Sequence, residues 1–163
     1  MCDGQTRPRE LRRGGVLEEC RTCGHLRRSL DDAPADHRDA AYGGDPALDA
    51  VRTRLTHRWL CAAGRPASVF EIGYGSGALL RRFHDDGAAV SGVDPDQLAV
   101  DVDPVVSANA RLWNCAVEDV PDGAVSADLV VGVHVIERVS DPGVTMDKAA
   151  TMLTESGTLV LLT

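Results

Sequence analysis

The stretch VFEIGYGSGALL, Val69 to Leu80, decides how the rest of the chain is read. Apolar residues around one acid run straight into glycines at 73, 75 and 77, and the apolar pattern then resumes at helical spacing. Such a run reads as strand, tight turn and helix. Glycine in the turn permits positive φ and lets a ligand approach the backbone without meeting a Cβ. The helix that follows aims its free N–H groups and the positive end of its dipole at whatever is bound, so an anionic group is expected near Gly75 to Gly77. Glu71 is the anomaly, a carboxylate among core-like residues two positions ahead of the first glycine.

Working outward, residues 67–73 read as a strand, 77–86 as a helix ended by Gly87, and 88–94 as a second strand. Segment 96–109 is helical but broken at Asp103-Pro104, because the residue before proline is pushed out of the α region. A strand over 111–117, a strongly buried one over 127–135, a helix over 141–154 opened by Asp141-Pro142, and a strand over 157–163 complete the series. Strands separated by helices predict an α/β, doubly wound, Rossmann-like fold with a mostly parallel sheet of about five strands. Upstream, Asp45-Pro46 caps a helix over 46–63 whose Leu48, Val51, Leu55, Trp59 and Ala62 recur at helical spacing and are expected to face a core.

The first 30 residues read as a separate unit. They hold seven arginines against four acids in a chain of net charge -8, so the remainder carries the acidity. Within them, LRRGGVLEECRTCGHLRRSL, Leu11 to Leu30, has a Gly-Gly turn and a Cys-x-x-Cys at Cys20 and Cys23, the pattern of a small hairpin with a knuckle. Residues 31–45, rich in Asp, Ala, Gly and Pro, read as a linker to a main domain over 46–163.

Composition narrows the function classes. With 44% hydrophobic residues in 163, the chain can build a real core. It has no apolar run of membrane-spanning length and no signal-peptide h-region, so a cytoplasmic location is expected. The acidic balance disfavours a broad electrostatic grip on nucleic acid. Five cysteines without a secretion signal point to thiols or metal ligands rather than a disulfide framework. Cys61 and Cys115 fall on predicted core faces.

In a doubly wound sheet the ligand lies beyond the carboxyl ends of the strands, where the first loop turns into a helix. GYGSGA satisfies the dinucleotide fingerprint, with Asp94 21 residues after Gly73 as the ribose-binding acid. Glu71 argues against a pyrophosphate there and for a ligand with an amino group. S-adenosylmethionine (SAM) offers that group, a carboxylate for the helix N-terminus and a ribose diol for Asp94, whose ionised carboxylate is an acceptor only.

Four successive motifs, VFEIGYGSG, VSGVDPD, AVEDVPDGAVSADLVVGVHVIERVSDP and MLTESGTLVLLT, resemble those of the class I SAM-dependent methyltransferases in the same order over Val69 to Thr163. The resemblance implies that Glu71, Gly73, Tyr74, Gly75 and Gly77 line the methionine end of SAM. It implies that Asp94 holds the ribose hydroxyls, that Pro95 and Asp96 flank the adenosine, and that Val117, Glu118 and Asp119 lie beside the adenine. Gly132, Val133 and His134 would end the fourth strand under the sulfonium, with His134 the candidate catalytic base. There are departures. Tyr74 stands where a smaller residue is usual and would narrow the cofactor pocket. Ala116 replaces an adenine-binding acid, leaving that contact to backbone N–H groups or Glu118. Arg138 replaces a second His, and Glu137 and Arg138 read as a solvated pair.

ECRTCGHLR with AAYGGD is similar to the second half of the N-terminal zinc ribbon that precedes several small-molecule methyltransferases, sugar C-methyltransferases among them. It implies Cys2, Cys20 and Cys23 as metal ligands, with zinc as the metal and His25 a poor fourth donor. A metal-free turn with reduced thiols is the alternative.

The resemblance implies methyl transfer to a small hydroxylated or keto acceptor, a sugar or secondary metabolite. Relatives continue past the fifth strand, whereas TLVLLT ends this chain and would present an unpaired edge. A fragment, a shortened relative, or a sheet completed by a second copy or a partner chain are the readings this leaves. Two other functions stand beside methyl transfer: a non-catalytic SAM-binding or interaction module, and an NAD(P)-dependent oxidoreductase supported by GYGSGA alone.

Overall fold

A computed structural model describes residues 4–12, 15–27, 45–95 and 101–163. Cys2, Asp96 and the expected linker up to residue 44 lie outside the described residues. Contacts divide the chain into two compact units, 1–36 and 37–163.

The first unit is an antiparallel three-stranded sheet of β1 (Thr6–Glu10), β2 (Val16–Cys20) and β3 (Leu26–Arg27), in that order. Strand β1 was not expected; between it and β2 the Leu11 amide donates to the Gly15 carbonyl at 3.0 Å. The Cys-x-x-Cys falls in the turn between β2 and β3, closed by the Cys20 amide on the His25 carbonyl at 2.8 Å and the Gly24 amide on the Cys20 carbonyl at 2.9 Å. Cross-strand pairs align Arg7 with Glu19 and Arg27 with Glu18. These are surface ion pairs, screened by solvent and weak contributors to stability.

The second unit opens with α1 (Pro46–Leu60), capped by Asp45, whose carboxylate accepts from the amides of Ala47 and Leu48. It continues through β4 (Ser68–Ile72), α2 (Ala78–Asp85), β5 (Ala89–Val93), α3 (Pro104–Asn109), β6 (Arg111–Trp113), a single 3₁₀ turn (Val117–Asp119), β7 (Ala127–Val133), α4 (Pro142–Thr151) and β8 (Leu153–Leu162). The sheet order is β6-β5-β4-β7-β8 and every neighbouring pair is parallel. This is the doubly wound α/β sheet expected from the sequence. The chain runs outward from β4 through β5 to β6, then crosses back to β7 and β8, so the order reverses between β4 and β7. A ligand crevice forms outside the carboxyl ends of the strands at such a reversal.

Alternation along β4 builds a core on each face. Val69 packs with Leu79, Leu80, Phe83, Val90, Val106 and Val131. Phe70 and Ile72 pack with Val93, Val117, Val120, Val130 and Met152. Phe70, Leu80 and Phe83 are fully buried, each stabilising the fold by about 1.5–3 kcal/mol. The two-residue period places Glu71 on the Val69 face, beneath α2.

Three expectations need correction. The apolar stripe of α1 does not face a core: Leu48, Val51, Leu55 and Trp59 are exposed, Trp59 at 59%. The helix docks instead through His57, Leu60 and Cys61, with the His57 ring edge-on to Phe83 at 4.8 Å. Periodicity defines the faces of a helix but not which one meets its neighbour. The strand expected over 111–117 stops at Trp113: among the described residues β6 is an edge strand that pairs with β5, and the chain then turns inward to bury Val117. The last strand begins at Leu153 rather than 157, taking up the end of the expected helix; its register with β7 shifts between Ala127 and Leu129.

Candidate functional site

The loop after β4 is held from several directions. Gly73 donates its N–H to the Val93 carbonyl at 2.7 Å, Gly77 to Tyr74 at 2.7 Å, and the Asp103 amide donates to the Ser76 carbonyl at 2.8 Å. The Gly75 amide donates to Asp94 Oδ2 at 2.8 Å, which ties the loop to the end of β5. Asn114, with its amide nitrogen turned toward them, donates to the carbonyls of Asp94 at 2.9 Å and Pro95 at 3.2 Å.

The three glycines do different things. A Cβ on Gly73 would sit 2.6 Å from Val135 Cγ2, and one on Gly77 3.0 Å from Val106 Cγ1, so both are required by packing against the protein itself. Gly75, at φ 51°, would meet nothing within 4 Å among the described residues. Of the three, only Gly75 opens its Cα to space that a ligand can occupy.

Glu71 is 5% exposed. Its carboxyl accepts from the Leu80 amide in the first turn of α2. That helix starts at Gly77, which has no side chain to cap it, so a carboxylate from the preceding strand supplies the acceptor. Glu71 Oε2 is buried with no hydrogen-bond partner among the described residues. Burial, and after it the negative charge of Asp94, push the Glu71 carboxyl well above the usual carboxylate range. A buried acceptor without a donor costs about 1–3 kcal/mol, and an ammonium group brought to Oε2 would relieve it. The orphaned oxygen, the open Cα of Gly75 and the buried carboxylate of Asp94 at 9% exposure fit a ligand with an amino group and vicinal hydroxyls.

Tyr74 does not narrow this pocket. Its ring is 5% exposed, packs in the core with Leu80, Phe83 and Val90, and lies against Gly92, where a Cβ would approach Tyr74 Cδ1 to 3.1 Å. Strand β5 carries glycine at that position and accommodates the larger residue. Burial, and secondarily Asp94, raise the Tyr74 phenol above its ordinary value.

Pro95 is exposed at the end of β5. Val117 is buried in the 3₁₀ turn, whereas Glu118 and Asp119 are exposed, and the Thr145 hydroxyl of α4 donates to Glu118. Glu118 is therefore already engaged on α4. Val133 ends β7, the strand next to β4, and His134 follows it. His134 is exposed and has φ 54°, the one non-glycine residue with positive φ among those described. Its amide donates to the Leu162 carbonyl at 2.7 Å, and its Nδ1 lies 3.4 Å from Glu137 Oε1. Glu137 thus faces His134, which corrects the expected pairing with Arg138. In the first unit Cys20 is buried and Cys23 exposed, and among the described residues no third His, Cys, Asp or Glu donor completes a cluster with them.

Sequence reasoning missed Asn114, which fixes the end of β5, and Asp103, which caps α3, meets Arg81 at 3.3 Å and holds the loop at Ser76. The Asp103-Pro104 pair carries the signal, since Asp before Pro is a helix N-cap and here opens α3 instead of breaking a longer helix. Asn114 offers no local pattern.

A family model described as methyltransferase domain matches residues 45–163. The chain belongs to that family. Membership decides between the two readings of GYGSGA in favour of the methyltransferase. Among curated relatives, this methyltransferase-family chain is similar to the ubiquinone biosynthesis O-methyltransferases of Nitrobacter winogradskyi (30% identical over 106 residues, 63% of this chain and 40% of that one) and Bradyrhizobium diazoefficiens (32% over 98 residues, 58% and 39%). It therefore spans about two fifths of the length of these relatives. Among solved structures it shares its fold with the N-methyltransferase NodS from Bradyrhizobium japonicum WM9, in complex with S-adenosyl-L-homocysteine. The TM-score is 0.61 at 16% identity, over 80% of this chain and 69% of that one. It is also similar to the plantazolicin methyltransferase BpumL (TM-score 0.51, 15% identity, 70% and 45%). The fold is that of the class I SAM-dependent methyltransferases. Among the described residues no helix is long and apolar enough to cross a membrane.

Proposed function

We propose that the second unit binds SAM at the carboxyl ends of β4, β5 and β7 and that the protein transfers the methyl group to a hydroxyl of a small molecule. The observation that carries this reading is the buried Glu71 with its unpartnered Oε2, at the end of the strand that leads into the open Cα of Gly75. Glu71 would receive the amino group, Asp94 the ribose hydroxyls, and the backbone around Pro95 and Val117 to Asp119 the adenine. The bound cofactor supplies an electrophilic methyl group on sulfur. The protein's own task is then to align the acceptor and exclude water. His134, at the end of β7 with Glu137 beside its Nδ1, is suited to take a proton from an acceptor hydroxyl. The hydroxyl acceptor is favoured by the similarity to O-methyltransferases.

Titration calorimetry with SAM tests the binding half, and saturable binding below millimolar cofactor is expected. Failure to bind at millimolar SAM would overturn it. A methyl-transfer assay on phenolic and sugar acceptors tests the second half, with binding but no transfer pointing to a SAM-binding module.

A further inference from the structure

A second group of chemically capable side chains lies at the other end of α2. His57 and Cys61 are four residues apart at the end of α1, on one face of the helix, and Asp86 is the C-cap residue of α2. His57 Nε2 lies 3.2 Å from Asp86 Oδ2 and 3.7 Å from Cys61 Sγ, and the three donor atoms are all within 4.8 Å of one another. A tetrahedral zinc site, with metal–nitrogen and metal–oxygen distances of about 2.0–2.2 Å and metal–sulfur of about 2.3 Å, has ligand–ligand edges of about 3.3–3.7 Å, which the two separations from His57 match and to which the Cys61–Asp86 pair closes on binding.

We infer that His57, Cys61 and Asp86 form a binding site for one zinc-class divalent cation, with a fourth position left for water. The donor set selects the metal: a thiolate beside an imidazole suits zinc or cobalt and is a poor site for magnesium or calcium. The other Asp86 oxygen, Oδ1, lies 3.2 Å from Arg65, the kind of outer contact that orients a ligating carboxylate. All three side chains are partly rather than fully withdrawn from solvent, which leaves the cation a route in and the water its place. Binding replaces the Cys61 S–H bond with a sulfur–metal bond, and the thiol proton leaves to solvent with no change of oxidation state. Without metal, burial and the charge of Asp86 raise the Cys61 thiol above its ordinary value; a dication beside it reverses that balance.

The position assigns the role. Eight residues of α2 at ~1.5 Å per residue separate this cluster from the glycine loop by about 12 Å. The cation therefore staples α1 to α2, and it does not touch the proposed methyl-transfer site.

Cobalt titration of the full chain, stripped of metal under reductant, tests the site. The wild type is expected to bind one cobalt with a thiolate-to-metal charge-transfer band, and the double variant Cys20→Ser, Cys23→Ser is expected to keep it. Cys61→Ser should abolish the band while circular dichroism shows an intact fold, and Asp86→Asn should weaken cobalt binding about 10- to 100-fold. No band in the wild type, a band that survives Cys61→Ser, unchanged affinity in Asp86→Asn, or loss of the band in the Cys20, Cys23 variant would each overturn the proposal.

Discussion

The Gly75 amide donates to Asp94 Oδ2 at 2.8 Å, so the acid at the end of β5 holds the loop that follows β4. Asp94 has two tasks in the proposed site, one toward the protein and one toward the ribose. Asp94→Ala removes both: stability is expected to fall by about 1–3 kcal/mol and SAM affinity by about 10- to 100-fold. Asp94→Asn keeps an acceptor for Gly75 and should restore most of the stability but not the affinity. Thermal melts and calorimetry on the two variants check this, and equal affinity in wild type and Asp94→Asn would remove the ribose role.

Glu71 makes stability and binding depend on pH in opposite senses. Its carboxyl is raised in the fold from 4.5, so the folded ligand-free protein holds a proton that the unfolded chain releases. The stability this group contributes is complete below about pH 4.5 and is lost as pH rises through the raised value. Glu71→Gln should therefore gain on the wild type as pH increases. An incoming ammonium group favours the ionised carboxylate, so SAM should bind more tightly as pH rises and should displace a proton. Calorimetry in buffers of different ionisation enthalpy measures that proton, and its absence would place the amino group elsewhere.

Gly73 and Gly75 separate packing from ligand access. Gly73→Ala combines positive φ with a methyl 2.6 Å from Val135 Cγ2 and should cost about 2–5 kcal/mol, visible in denaturant unfolding. Gly75→Ala meets no atom of the described residues and should cost about 1–2 kcal/mol, yet its methyl projects where the ligand is proposed. Loss of SAM binding in a folded Gly75→Ala protein is the expected result.

His134→Gln should leave SAM affinity within about twofold while methyl transfer falls on the order of 100-fold, the contribution of a positioned base. Unchanged transfer would assign His134 to the αL turn after β7 alone.

Much of this was legible along the chain. The succession of strands and helices, the turn at Gly73 to Gly77 and the acid ending β5 are all carried by local patterns, and the structure has each of them in place. The caps were equally plain, Asp45-Pro46 and Asp141-Pro142 both opening helices with the Asp carboxylate on the first amides. These signals work through residues a few positions apart, which is the range over which one sequence can be read.

Other properties were decided by contacts between residues distant in sequence. Glu71 was read as a ligand acid, and it is also the cap that α2 lacks, because β4 and the first turn of α2 come together. Tyr74 left the pocket because Gly92, on the next strand, leaves room for its ring. The α1 stripe of Leu48, Val51, Leu55 and Trp59 faces outward because α2 meets the opposite face. The sequence by itself determined the elements, their order and the chemistry placed at the loop. Only the tertiary structure decided which face of each element was buried, which glycine stood open to a ligand and which carboxylate oxygen lacked a donor, since these depend on neighbours that chain order does not reveal.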